Sequence, residues 1–188
     1  MPIVRAIIVG ELREEPSALL GTVAWGEMLN VAQVFSEEQR ECYASLAGIE
    51  WRSDVLAAGL GEFRCPSCRS SLVRNVNSHA AVVDDLLLTC SHCGENAQIE
   101  SVVESALADI LECDAYDAAK EGSAQPIANC PECGLDTFVV REDRCPCCGF
   151  SLVGCECDIC GQAIGVDDYE TGGRSTCSYH AYLLSKDD

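Results

Sequence analysis

The sequence predicts an α+β protein, with a small helical N-terminal region, then compact cysteine-built units, and a long helix connecting the first two of these. Three observations predict it. Cysteines arrive in close pairs: Cys65/Cys68, Cys90/Cys93, Cys130/Cys133, Cys145/Cys148 and Cys157/Cys160 have the form Cys-x-x-Cys, and Cys177/His180 follows as Cys-x-x-His. Before the first pair lies an apolar stretch with helix-start signals and no such pairs. Between the second and third pairs, apolar residues recur at three- and four-residue steps, the signature of one helix face.

The six pairs supply twelve ligands, enough for three tetrahedral sites of four. Zinc favours closed cages of thiolate and imidazole, and a two-residue spacing lets one tight turn present two sulfurs. About three Zn2+ per chain are therefore expected. Metal binding supplies folding free energy, so 188 residues can hold several small units with little core. Iron also accepts four thiolates, but three sites, one with histidine, read as structural. The fifteen cysteines do not read as disulfides, because their number is odd and their spacing is that of metal knuckles. Met1 to Gly10 is apolar but too short for a secretory leader, and no apolar run approaches the roughly 18 residues of a membrane span. A reducing cytoplasm is expected.

Charge bounds the partner. Twelve basic and 31 acidic residues give −19, and metal-bound thiolates deepen it. Such a field repels nucleic acid and favours a protein with a basic surface.

In chain order, residues 1–61 form the helical region. Ile3, Val4, Ile7, Ile8 and Val9 fit either a strand or a helix face. Pro16-Ser17 starts a helix through Phe35, and Ser36-Glu37-Glu38-Gln39 reads as a capping box opening another that Gly48 ends. Ser53-Asp54 starts a short turn. Trp25, Phe35, Tyr43 and Trp51 are expected to fill the core, with Cys42 a buried helix residue rather than a nucleophile.

Residues 62–96 hold the first metal unit. Cys65-Pro66-Ser67-Cys68 and Cys90-Ser91-His92-Cys93-Gly94 bracket the strand-like Ser71–Val73 and Leu86–Leu88. The arrangement resembles a zinc ribbon, in which two knuckles clamp one ion. Gly94 suits the positive φ that follows a knuckle, whereas Arg69 stands where the first knuckle would have glycine. His92 reads as a surface residue. Arg74 and His79 have the Arg-x4-His spacing of HEPN-type ribonucleases, but that motif needs a helix and this span reads as a hairpin tip, so no catalytic residues are assigned.

Residues 97–125 carry the connecting helix and its linker. Ile99, Val102, Val103, Ala106, Leu107, Ile110 and Leu111 make the stripe, which Cys113, Tyr116 and Ala119 are expected to continue; the outer face is acidic. Residues 126–153 form the second unit, with Cys130-Pro131-Glu132-Cys133-Gly134 and Cys145-Pro146-Cys147-Cys148-Gly149 around Thr137–Val140. Cys147 is a spare sulfur. Residues 154–188 form the third, where Cys157, Cys160, Cys177 and His180 give three cysteines and one histidine; Cys155 is an alternative to Cys157.

The Cys-Pro-x-Cys-Gly knuckles resemble those of rubredoxin-like ribbons, and the third unit is similar to treble-clef and related zinc sites. Residues 63–180 as a whole resemble bacterial multi-zinc-ribbon proteins of unassigned function. The resemblance implies zinc and a multi-ribbon layout, and no activity. The expected function is a non-catalytic zinc protein acting as a macromolecular, protein–protein interaction module. The alternatives are a nucleic-acid-binding ribbon protein contacting through Arg64, Arg69 and Arg74, or an acidic nucleic-acid mimic blocking a basic partner.

Overall fold

The computed structural model describes residues 5–6, 8–170, 174–184 and 186. Ile3, Val4 and Ile7 of the first apolar segment lie outside the described residues. Ile8–Leu12 is helical, as a single π-helical stretch, rather than a strand.

Pro16 opens helix α1 (Pro16–Leu20), its fixed φ suited to a first turn, and Gly21 at φ 81° breaks the chain before helix α2 (Thr22–Ala47). The expected break at Ser36 does not occur: α2 runs through as 26 residues. The Ser36 hydroxyl turns back to the Ala32 carbonyl at 2.8 Å, the bond a mid-helix serine makes in place of a cap. Only the last turns of α2 reach the core, through Cys42 and Leu46. Phe35 and Tyr43 stand exposed and Trp25 is half-buried, so three of the four aromatics expected in the core are not there. Trp51 does pack, edge-on to Phe63 at 5.2 Å, and donates to the Leu46 carbonyl.

Ser53 caps the short helix α3 (Asp54–Ala58) by accepting from the Leu56 N–H at 3.2 Å. Strands β1 (Val73–Asn75), β2 (Leu88–Cys90) and β3 (Asn96–Ala97) form an antiparallel sheet in that order, with Val73 opposite Cys90. Asn75 builds the β1–β2 connection, its side-chain oxygen accepting from the N–H groups of Asn77 and Leu87. Arg74 thus lies on a strand and His79 in the turn, not on one helix face.

The connecting helix is two helices, α4 (Ile99–Ile110) and α5 (Glu112–Glu121), hinged at Leu111 with φ −101° and ψ 12°. Val102, Val103, Ala106 and Leu107 are fully buried as the stripe predicts. Beyond the hinge the phase shifts, so Leu111 and Ala118 face inward while Cys113, Tyr116 and Ala119 are exposed. Gly59 lets α3 approach α4, since a Cβ there would collide with the Ile110 side chain. Gly122, left-handed at φ 67°, ends α5.

Strands β4 (Ile127–Ala128) and β5 (Phe138–Val139) pair in the second unit, and β6 (Tyr169–Glu170) and β7 (Arg174–Ser175) in the third, before helix α6 (Ser178–Leu184). One main core gathers Leu46, Leu56, Phe63, Leu88 and Leu107 with the sulfurs of Cys65 and Cys90. A smaller one gathers Cys130, Phe138, Cys145 and Leu152. Arg52 ties them, donating to the Cys147 carbonyl at 3.0 Å and pairing with Asp84, while Glu142 accepts from the Val55 N–H at 2.9 Å. Among the described residues, no helix is long and apolar enough to cross a membrane.

Candidate metal centres

Five turns of this chain share one backbone pattern. In each, the N–H of the first cysteine bonds the carbonyl five residues on, and the N–H four residues on returns to the cysteine carbonyl. The bonds run from Cys65 to Ser70 and from Arg69 to Cys65, then recur at Cys90/Glu95/Gly94, Cys130/Leu135/Gly134, Cys145/Phe150/Gly149 and Cys157/Gln162/Gly161, at 2.7–2.9 Å. The returning residue must adopt positive φ. Gly94, Gly134, Gly149 and Gly161 lie at 70–77°, and Arg69 adopts 60° without being glycine. The side chain of Arg69 is held outward by Ser105 Oγ at 2.9 Å and Asp109 at 3.8 Å.

These five turns, with the start of α6, bring all twelve predicted side chains into three groups: Cys65, Cys68, Cys90 and Cys93; Cys130, Cys133, Cys145 and Cys148; Cys157, Cys160, Cys177 and His180. Within each group the ligand atoms lie within 4.8 Å of one another. The sulfur separations are 3.7 Å for Cys65–Cys93, 3.6 Å for Cys68–Cys90, 3.6 Å for Cys130–Cys148 and 3.8 Å for Cys133–Cys145. A tetrahedron with metal–sulfur bonds near 2.3 Å has an edge of about 3.8 Å, whereas a disulfide would hold its sulfurs at about 2.0 Å. The spacing is that of sulfurs around an ion, and all the cysteines are free.

The third group is assembled differently. Cys157 and Cys160 come from a knuckle, and Cys177 and His180 from the start of α6, whose first turn is closed by the Ala181 N–H on the Cys177 carbonyl at 2.9 Å. His180 Nδ1 lies 3.6 Å from Cys157 Sγ and 3.2 Å from Cys177 Sγ, and Cys160 Sγ is 3.9 Å from Cys177 Sγ. Cys155 is not in the group; its thiol points to the Ser151 carbonyl at 3.9 Å, which resolves the alternative in favour of Cys157. His92 and His79 belong to none of the three.

Three of the knuckles also prepare their first sulfur electrostatically. Burial works to raise the Cys65 thiol, but the N–H groups of Cys68 and Ser67 and the neighbouring thiols outweigh it and bring it to about 7. At Cys157 the N–H of Cys177 leads the effect, lowering it to about 6. Cys145 falls to about 4, chiefly because the Cys147 thiol donates to it, aided by Thr137 and opposed by burial. Thiolate is the ligating form, so at these three positions the turns favour the state a metal needs. Burial pushes Cys130 up and, with the neighbouring thiols, the second sulfurs Cys68, Cys148 and Cys160.

Two of these helpers escape sequence reasoning. Thr137 is fully buried with its hydroxyl 3.2 Å from Cys145 Sγ, and a threonine between two knuckles carries no signal of that role. Cys147, readable as a spare, is half-buried beside the second group, where its thiol helps lower Cys145 and is itself pushed up.

No protein family, curated protein or solved structure matches this chain. Its chemistry is therefore read from the three groups themselves, whose donor sets suit metal binding.

Proposed function

We propose that this is a non-catalytic, cytoplasmic zinc protein that binds about three Zn2+ and uses the resulting rigid units to engage a basic macromolecule, namely a protein. The observation that carries it is the closure of the three groups, each with four protein donors at tetrahedral spacing. A site so filled leaves no position for a reacting water, which supports a structural rather than a catalytic ion. Thiolate supports zinc, and the knuckle hairpins support ribbon-type units of the kind the sequence resembles.

Charge supports the partner. The −19 of the chain grows by about two for each four-thiolate zinc site and about one for the third. Two of the arginines that would recommend nucleic acid are already engaged, Arg64 with Glu62 at 2.9 Å and Arg69 with Asp109, and Arg74 lines a cleft with Glu37, Glu38 and Glu41. Elemental analysis with native mass spectrometry tests the metal reading, with about three zinc ions per chain expected; iron, or fewer than about two ions, sinks it. The partner reading expects salt-sensitive capture of a basic protein and no retention on an oligonucleotide column.

A further inference from the structure

Among the described residues, nothing lies over the apolar face of the upper part of α2. From residue 16 to 36 the chain carries one charged residue, Glu27, in a molecule of net −19. Val23 is 73% exposed and Val31 68%, and Met28, Val34 and Phe35 stand open beside them. Ala24, Met28, Val31 and Phe35 follow one another at steps of four, three and four, the spacing of a helix–helix seam, and line a shallow groove with Glu27 and Ala32. Seven residues beyond Phe35 on the same stripe lies Cys42, buried in the body of the protein. The face that anchors the foot of α2 therefore continues uncovered along its upper turns.

We infer that this face is the interface of a homodimer, formed by α2 packing against α2 of a second copy. Area supports a partner. The large apolar side chains exposed on this side of α2, Val23, Met28, Val31, Val34 and Phe35, present on the order of 450 Å², in the upper half of the roughly 300–600 Å² range of the largest patch on a typical monomer, which is often a functional one. Chemistry selects the second copy. A basic protein partner finds a single carboxylate here, and an anionic membrane is repelled by the chain as a whole. An identical helix offers matching large and small residues, with Met28 and Phe35 as knobs and Ala24 and Ala32 as the spaces between them.

Sedimentation equilibrium on the full-length, metal-loaded chain tests this. The expected mass is twice 20.2 kDa at about 50 μM, with association strengthening several-fold from about 0.1 to 0.5 M salt as the repulsion between two acidic chains is screened. That dependence is opposite in sign to the one expected for a basic partner, so the two readings fail separately. Val31→Glu, at a site exposed in the monomer, is expected to give a monomer that keeps its metal content and helicity. Val153→Glu, equally exposed on the second unit, is expected to remain dimeric. A monomeric wild-type chain, a Val31→Glu protein that still dimerises, or a Val153→Glu protein that does not overturns the inference; so does a monomer that floats with neutral lipid vesicles.

Discussion

The first and third metal groups use nearly the same donors and are held in place by different means. Cys65 and Cys90 sit inside the main core, among Leu46, Leu56, Phe63, Val103 and Leu107, so the hydrophobic effect positions half of the first cage before any ion arrives. Around the third group, Cys157, Ile164 and Thr176 are the buried side chains among the described residues, Cys160 is exposed, and the hairpin β6–β7 is two residues per strand. One cage borrows a fold; the other has to make one. The lesson is that equal ligand sets do not imply equal dependence on metal.

Removing the metal is the strongest way to break the comparison. A structural zinc site contributes on the order of 10–16 kcal/mol, comparable to the whole stability of a domain. Chelation, or Cys157→Ser for the third site alone, is expected to leave the amides of 155–184 unprotected in hydrogen exchange, while those of Val102 to Leu107 stay slow. Equal loss in both regions would end the distinction. The converse experiment attacks the core. Leu107→Ala should cost about 2–5 kcal/mol, lowering the denaturation midpoint reported by the helices while the third site releases its metal at an unchanged chelator concentration.

The second group stands between the two and sharpens the comparison. It has its own small core of Phe138 and Leu152, and a buried hydroxyl aimed at one sulfur. Thr137→Val keeps the shape and removes the donor. Metal affinity at this site is expected to fall about 10–100-fold in chelator competition, with the other two sites unchanged. The smallest effect is at Arg69. Glycine there relieves a left-handed backbone that costs roughly 1 kcal/mol, less what the contacts to Ser105 and Asp109 return. Arg69→Gly should therefore stabilise the first unit by about 0.5 kcal/mol in denaturant unfolding, if its cage really rests on ordinary backbone energetics.

The ligands were legible because a knuckle is local. Six residues fix its turn, and spacing alone says which sulfurs converge; even the anomaly at Arg69 could be read as a missing glycine. What stayed hidden depends on distant packing. Ser36 carries the residues of a helix start, yet tertiary context lets α2 continue and its hydroxyl bonds backward. The stripe of α4 reads correctly to Leu111, where a single step of backbone shifts the face that α5 presents. Phe35 and Tyr43 look like core by type, but among the described residues no second layer lies over the upper part of α2.

The burial of the cage sulfurs follows a constant order. In both four-cysteine groups the first member of each knuckle is buried, Cys68 and Cys133 are half-covered, and Cys93 and Cys148 face solvent; Cys160 does the same in the third. Each cage is thus closed from within and has one corner at the surface. Ions must enter and leave by that corner, and an oxidant or a competing thiol reaches that sulfur first. The exchange rate of the metal is then governed by three exposed atoms, while its affinity is governed by the nine behind them.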